Sequence, residues 1–331
     1  MNKLSIIVLF CDKDYKYIPS LLKQMNDKLC CWFEVILVDN REKYKDVEIK
    51  EIEDFKSVNN LIYIDSGKNL AQLAAKKNAL EYAKGDYIWF FDADDEMCDC
   101  VSQTFLDKCN SDFIIFNYGF KEPGVCIKDD WTFYKECTDK YQTIYNKSKF
   151  RDADFLNENC CTAWNKWIKR EIVNQIFIPV KKDKKVSCNE DVYLCSAALN
   201  KSKSVQLMPH YIYINRPDRG NSNNFIDSFE NFERTIQGWK ESLDLFKYEF
   251  PKSCKLFDYE EKRKSDIAYF LNRYYNCDDS IKEKVINRIL EVCTKKEVLN
   301  VLNTRYSQFL SSSLTDEQYN TLKSEITKYL N

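Results

Sequence analysis

The sequence predicts an α/β fold, a mainly parallel sheet with flanking helices, followed by an all-helical C-terminal extension. Three observations carry this prediction. Over residues 1–120, short apolar runs alternate with helix-patterned segments. Those runs are rich in β-branched and aromatic residues and almost unbroken, as parallel strands covered on both faces must be. Past residue 225 the apolar residues recur at steps of three and four, the period of a helix.

The predicted strands are Leu4–Phe10, 33–38, 61–64, 87–91 and 113–116. The opening "MNKLSIIVLFC" imitates a lipoprotein signal, with a basic residue, an apolar run and then Cys11. The run is short, and Phe10 stands where a cleavage site needs a small residue, so a first buried strand is expected. Helices are predicted at 15–28 and 69–84. In the second, Asn69 caps the start, Leu70, Leu73, Ala74 and Leu80 form one face, and Gly85 ends it in the left-handed conformation.

Residues 121–160 read as loops and short strands. The segment 161–173 reads as a helix, or a turn leading into one, and 210–224 as a strand running into a Pro/Gly/Asn loop. Further on, Phe225, Phe229, Phe232, Ile236, Trp239, Leu243, Phe246 and Phe250 make a helical seam, and Ile281, Val285, Ile289 and Val292 mark another helix. The tail either packs on itself and on the α/β domain or forms a homodimer or partner surface. The expected domains are 1–224, with halves 1–120 and 121–224, and a helical subdomain at 225–331.

Composition excludes several classes. The 50 basic and 52 acidic residues nearly cancel, so there is no electrostatic footprint for nucleic acid. The 15 cysteines contain no CxxC, and the single histidine, His210, is not spaced with them for zinc. An odd count without a framework reads as reduced thiols in a cytosolic protein. No apolar run reaches the length of about 18 residues that a membrane span needs.

The stretch "YIWFFDADDE" ends a predicted buried strand with Asp92, Asp94, Asp95 and Glu96. If extended geometry persists, Asp92 and Asp94 share a face and attract a hard divalent cation. Magnesium and manganese keep several waters and use one or two carboxylates plus substrate phosphates. A calcium loop does not fit, because Met97 stands at its sixth position and Gln103 at its twelfth. The other reading is an exposed acidic turn with no ligand. Glu190 and Asp191 likewise read either as catalytic carboxylates or as acids favoured at a helix start.

Six segments in order resemble the family 2 glycosyltransferases, which have the GT-A, Rossmann-like fold. They are "SIIVLFCD", "FEVILVDN", "NLAQLAAKKNALEYAKGDYIWFFDADDE", "AWNKWIKREIV", "NEDVYL" and "YIYINRPDRGNS", spread over roughly 220 residues. The resemblance implies an inverting enzyme that takes a sugar from a nucleotide sugar, UDP-linked as a rule, to a glycan or lipid-linked acceptor in bacterial surface polysaccharide synthesis. It implies Mn2+ or Mg2+ on Asp92 and Asp94, with Asp95 beside the sugar. It makes Asp191 the catalytic base and Glu190 its support or the acceptor's. It sets Asp39 on the donor's base, near Phe10 and Asp12, and puts Asn69 and Lys76 in the donor site. The 1–120 half would bind the donor and the 121–224 half the acceptor.

Arg216 and Arg219 read as a diphosphate clamp or as solvated surface arginines. Lys181, Lys182, Lys184 and Lys185 read as a solvated basic loop or as peripheral contact with an anionic membrane surface at the inner face. The chain departs from the family pattern at Leu9, Cys11, Asp12, Asn40-Arg41 and Lys76-Lys77, which bears on the donor more than on the fold. The competing reading is a non-catalytic module that binds a nucleotide sugar or a partner. A nucleotidyltransferase would want a glycine-rich loop after the first strand, and "FCDKDYKY" has no glycine.

Overall fold

The computed structural model describes residues 3–28, 33–58, 61–98, 106–120, 132–134, 142–144, 162–181, 186, 189–216, 228–250, 259–304 and 314–330. Its strands are β1 (Leu4–Phe10), β2 (Phe33–Asp39), β3 (Leu61–Asp65), β4 (Tyr87–Asp92), β5 (Glu96–Met97), β6 (Phe113–Phe120), β7 (Thr132–Tyr134), β8 (Gln142–Ile144), β9 (Lys166–Lys169) and β10 (Val205–Asn215). They form one sheet in the order β3-β2-β1-β4-β9-β6-β10-β5, with β7 on β6 and β8 on β10. The strands β3, β2, β1 and β4 are all parallel, as expected. Beyond them the sheet is mixed. The antiparallel β9 separates β4 from β6, and β10 runs parallel to β6.

Helices α1 (Ile18–Lys28), α2 (Lys50–Val58) and α3 (Gln72–Leu80) connect the parallel strands. α1 buries Ile18, Leu21, Leu22 and Met25 against the core that Ile6, Val8, Val35 and Leu37 build. The predicted helix 15–28 is split, because Tyr15–Tyr17 is a tighter turn ahead of α1.

α3 differs from the expectation at both ends. It starts at Gln72 after Ala71, so Asn69 does not cap it. Asn69 is exposed, and its amide donates to Glu42 Oε1 at 3.2 Å. Gly85 lies beyond the end of α3, and among the described residues the left-handed glycine is Gly67, at φ 69°. Gly85 is needed for space instead. A Cβ there would lie 2.5 Å from the backbone nitrogen of Ser5. The close approach is held by Glu34, which is 2% exposed and accepts from Ser5 Oγ at 2.6 Å, Lys84 N at 2.6 Å and Gly85 N at 3.1 Å.

The expected helix or turn at 161–173 contains strand β9 before α4 (Arg170–Ile176) begins. Trp167 and Ile168 are fully buried between β4 and β6, so the packing there outweighs local helix preference. α5 (Glu190–Lys201) follows. β10 is longer than predicted and carries two register shifts against β6, between Met208 and Tyr213.

The tail holds α6 (Phe229–Glu249), α7 (Tyr259–Tyr275), α8 (Lys282–Val292), α9 (Lys295–Thr304) and α10 (Asp316–Leu330). The chain divides into two compact units, Met1–Gly220 with Gln237–Ser253, and Asn221–Ile236 with Cys254–Asn331. In the first unit, Phe246 packs edge-on to Tyr193 of α5, and Glu249 pairs with Lys201 at 3.0 Å. In the second, Phe232 meets Phe270, and Arg263 pairs with Glu297 at 2.9 Å. Phe225 of the predicted seam lies outside the described residues. Among those described, no helix is long and apolar enough to cross a membrane.

Candidate active site

Parallel register brings two acidic residues to one edge of the sheet. Asp39 pairs with Phe10, and Asp92 with Leu9, both at the carboxyl end of β1. Ligands of parallel α/β sheets gather at this edge. After Asp92 the chain does not stay extended. It turns, with Asp95 N donating to Asp92 O at 3.3 Å. The alternation argument for Asp92 and Asp94 therefore fails, and the turn sets their directions.

Asp95 is 3% exposed and well held. Its carboxylate accepts from Tyr213 Oη, from Asn215 Nδ2 at 3.2 Å and from Arg216 N at 2.6 Å. Burial, then Asp94, push its carboxyl up to about 7 against those three donors. Asp92 is solvent-exposed at the strand end yet closely surrounded by protein and other acids. Desolvation, then Asp95 and Asp191, hold its carboxyl well above the usual carboxylate range, and Lys76 opposes them.

Lys76 of α3 is 5% exposed, with Nζ 3.4 Å from Asp191 Oδ1 and 5.4 Å from the centre of the Phe90 ring. Burial alone would depress the ammonium. Asp191, Glu190 and Asp92 together outweigh burial and raise it. The carboxyl of Glu190 is raised by burial and then by Asp191. One buried cation therefore faces acids from β4 and α5.

α5 is aimed by its start. Asn189 adopts the left-handed conformation, φ 61°, which asparagine tolerates better than most residues. The turn puts Glu190 and Asp191 in the first helical turn, where the helix dipole favours carboxylates. Asp191 Oδ2 accepts from Ala163 N at 3.2 Å, and Cys195 Sγ, one turn later, donates to Thr162 O at 3.2 Å. Both contacts pin α5 to the loop before β9.

The carboxylate expected at the base is enclosed by protein. Asp39 is fully buried, and its carboxylate accepts from Arg41 N at 2.9 Å, Arg41 Nε at 3.0 Å, Arg41 Nη2 at 2.7 Å and Tyr63 Oη at 2.6 Å. Hydrogen bonds from Arg41 and Tyr63 outweigh burial and hold this carboxyl below its ordinary value. Asp12 Oδ1 accepts from the amides of Glu42, Lys43 and Tyr44 at 2.9–3.1 Å, so it caps the loop after β2. Phe10 lies under the Arg41 guanidinium, 5.3 Å from ring centre to Cζ. Arg216 pairs with Glu96. Arg219 and Lys182, Lys184 and Lys185 lie outside the described residues, and Lys181 is exposed.

Sequence reasoning passed over Tyr213 and the amide of Ala163, and took Arg41 only as a departure from the family pattern. Arg41, two residues after a strand-end aspartate, carried a signal in its spacing. Ala163 carried none, because its part is played by backbone. Among the described residues, no three His, Cys, Asp or Glu side chains are grouped to hold a metal by themselves.

The mixed sheet, with acids gathered at its parallel strand ends, has a GT-A-type architecture. Residues 5–177, just over half of the chain, match the model of glycosyl transferase family 2, and the chain belongs to that family and is a glycosyltransferase. No curated protein matches it in sequence. Among solved structures, it resembles S. aureus TarS 1-349 in complex with UDP-GlcNAc, at 14% identity and TM-score 0.56, covering 99% of this chain and 92% of that one. It also resembles the longer S. aureus TarS structure, at 15% identity and TM-score 0.51, where 98% of this chain spans 55% of that one. At these identities the likeness is one of fold.

Proposed function

We propose that the chain is a metal-dependent inverting transferase that moves a sugar from a nucleotide sugar, UDP-linked, to a hydroxyl of a glycan or lipid-linked acceptor in surface polysaccharide synthesis. The observation that carries this reading is the Lys76–Asp191 contact, because it gathers the acids of β4 and α5 around one recess at the strand ends. The neighbour solved with UDP-GlcNAc supports the donor class.

Asp191 takes the proton of the acceptor hydroxyl as it attacks, since an alcohol is a weak nucleophile without a base. Glu190 holds the acceptor or steadies Asp191. Asp95, braced by Tyr213 and the Arg216 amide, lies beside the donor sugar. Lys76 keeps Asp191 oriented and offers positive charge to the diphosphate. Arg216 reaches the diphosphate by exchanging its Glu96 partner.

The donor set fits a magnesium or manganese ion that also needs substrate phosphates, because Asp92 and Asp94 are too few to hold it alone. Such an ion would offset the charge developing on the departing diphosphate. The thiols of Cys11, Cys277 and Cys293 support a reducing, cytoplasmic site of action, with peripheral membrane contact where the acceptor is lipid-linked.

The test is hydrolysis of a panel of nucleotide sugars with and without manganese. Metal-dependent turnover of at least one donor is expected. No turnover of any donor would overturn the reading.

A further inference from the structure

The loop after β2 carries an arrangement that the proposed chemistry does not use. A carboxylate offers about four acceptor positions. Those of Asp39 are met by four donors, the Arg41 amide, Arg41 Nε, Arg41 Nη2 and Tyr63 Oη, with Lys45 Nζ a second cation at 3.9 Å. With Asp39 at 0% exposure, no ligand atom reaches it while Arg41 is in place.

Arg41 is not a loose lid. It is 3% exposed and makes a fork on Asp39, and its Nη1 donates to Val47 O at 2.9 Å. Its guanidinium lies over the Phe10 and Tyr15 rings, 5.3 and 5.8 Å from their centres. Swinging it away would leave the buried Asp39 carboxylate without its main ion-pair partner. Beside it, the Tyr15 and Tyr44 rings stand 5.2 Å apart, and Tyr44 is 44% exposed although the Asp12 cap fixes its backbone.

We infer that Arg41 sets the base selectivity of the donor site, by sealing Asp39 and leaving the base to stack on the Tyr15–Tyr44 face. This rests on the nucleotide-sugar reading above. An open carboxylate favours a base that presents an imide N–H, as uracil does, over one that presents a bare ring nitrogen there, as cytosine does. Stacking does not make that distinction, because every base has a π-face. The site should therefore take pyrimidine nucleoside diphosphates with little regard to the imide.

The test is calorimetric titration of the whole chain with UDP and with CDP, each with manganese. The wild type should bind both within about threefold, below the roughly tenfold or more that one hydrogen bond to a charged group supplies. Arg41→Gly removes the Nε and Nη2 donors and leaves the backbone amide, Tyr63 Oη and, at 3.9 Å, Lys45 Nζ on Asp39; the two acceptor positions it frees should shift the ratio toward UDP by about tenfold or more. Tyr44→Ala, at an exposed ring, should weaken both nucleotides alike. A wild-type preference for UDP above tenfold, or an Arg41→Gly ratio equal to wild type, overturns the inference and leaves the proposed function standing. Binding of neither nucleotide by the wild type overturns both. The wild-type ratio and Tyr44→Ala decide the matter if Arg41→Gly does not fold.

Discussion

Lys76 Nζ lies 3.4 Å from Asp191 Oδ1, joining α3 to the first turn of α5 across 115 positions of sequence. Burial opposes the charge on Lys76, and three acids restore it. Removing the cation should expose what the acids cost. Lys76→Met should destabilise the protein by about 3–5 kcal/mol, the usual result of breaking a buried pair. The loss should be larger at pH 8 than at pH 5, because the raised carboxyls of Asp92 and Glu190 hold their protons to higher pH and need the cation once they ionise. Urea unfolding at both pH values measures it, and an equal loss at both would contradict the account.

Asp191→Asn keeps the side-chain shape and one acceptor oxygen but cannot take a proton. Turnover should fall about a hundredfold or more, within the range of general-base contributions. Nucleotide affinity, read by calorimetry, should stay near wild type. Near-normal turnover would remove Asp191 from its role.

The acid cluster also predicts a pH dependence of stability. The Asp95 carboxyl rises from 3.8 to about 7 on folding, so the folded state binds more protons between those values. Its stabilising contribution is complete below pH 3.8 and is lost as pH rises through 7. The Tm of wild type relative to Asp95→Asn should therefore fall between pH 5 and pH 8. A difference that rises with pH would reverse the sign and refute the burial argument.

Manganese should bind weakly alone and more tightly with UDP. Asp92 and Asp94 supply too few ligands by themselves, and the diphosphate adds the rest. A coupling of about 5–150-fold is the usual scale for two ligands that share a site. Titrating manganese with and without UDP measures it, and equal affinities would contradict it.

Gly85→Ala tests the fold rather than the site. The added methyl would press on the Ser5 backbone at 2.5 Å, which cannot turn aside as a side chain would. A loss of about 1–3 kcal/mol is expected from such overpacking, seen as a lower urea midpoint. An unchanged midpoint would mean that β1 and the turn before β4 are loosely held.

The strands were largely legible because burial on both faces leaves an unbroken apolar run, and β1, β2 and β4 show it. β9 was not legible. Its four residues become a strand only because β4 and β6 lie on either side with open hydrogen-bonding edges. Asp92, Asp94, Glu190 and Asp191 could be picked out as acids at element ends, but alternation misdirected Asp94 because the chain turns there. Asp39 stood out as the acid that closes β2. Its enclosure by Arg41 and Tyr63 depends on side-chain directions that linear spacing does not carry.

By itself the sequence determined most of the strands and helices, though not β9 or the ends of α3, and which short acidic motifs end them, because periodicity and local chemistry act over a few residues. The tertiary structure alone decided that Lys76 meets Asp191 and that Arg41 seals Asp39. It also decided that Gly85 serves close packing rather than a helix end. Those outcomes depend on the register of neighbouring strands and on how burial sets one charge against another, and both exist only once distant segments share one sheet.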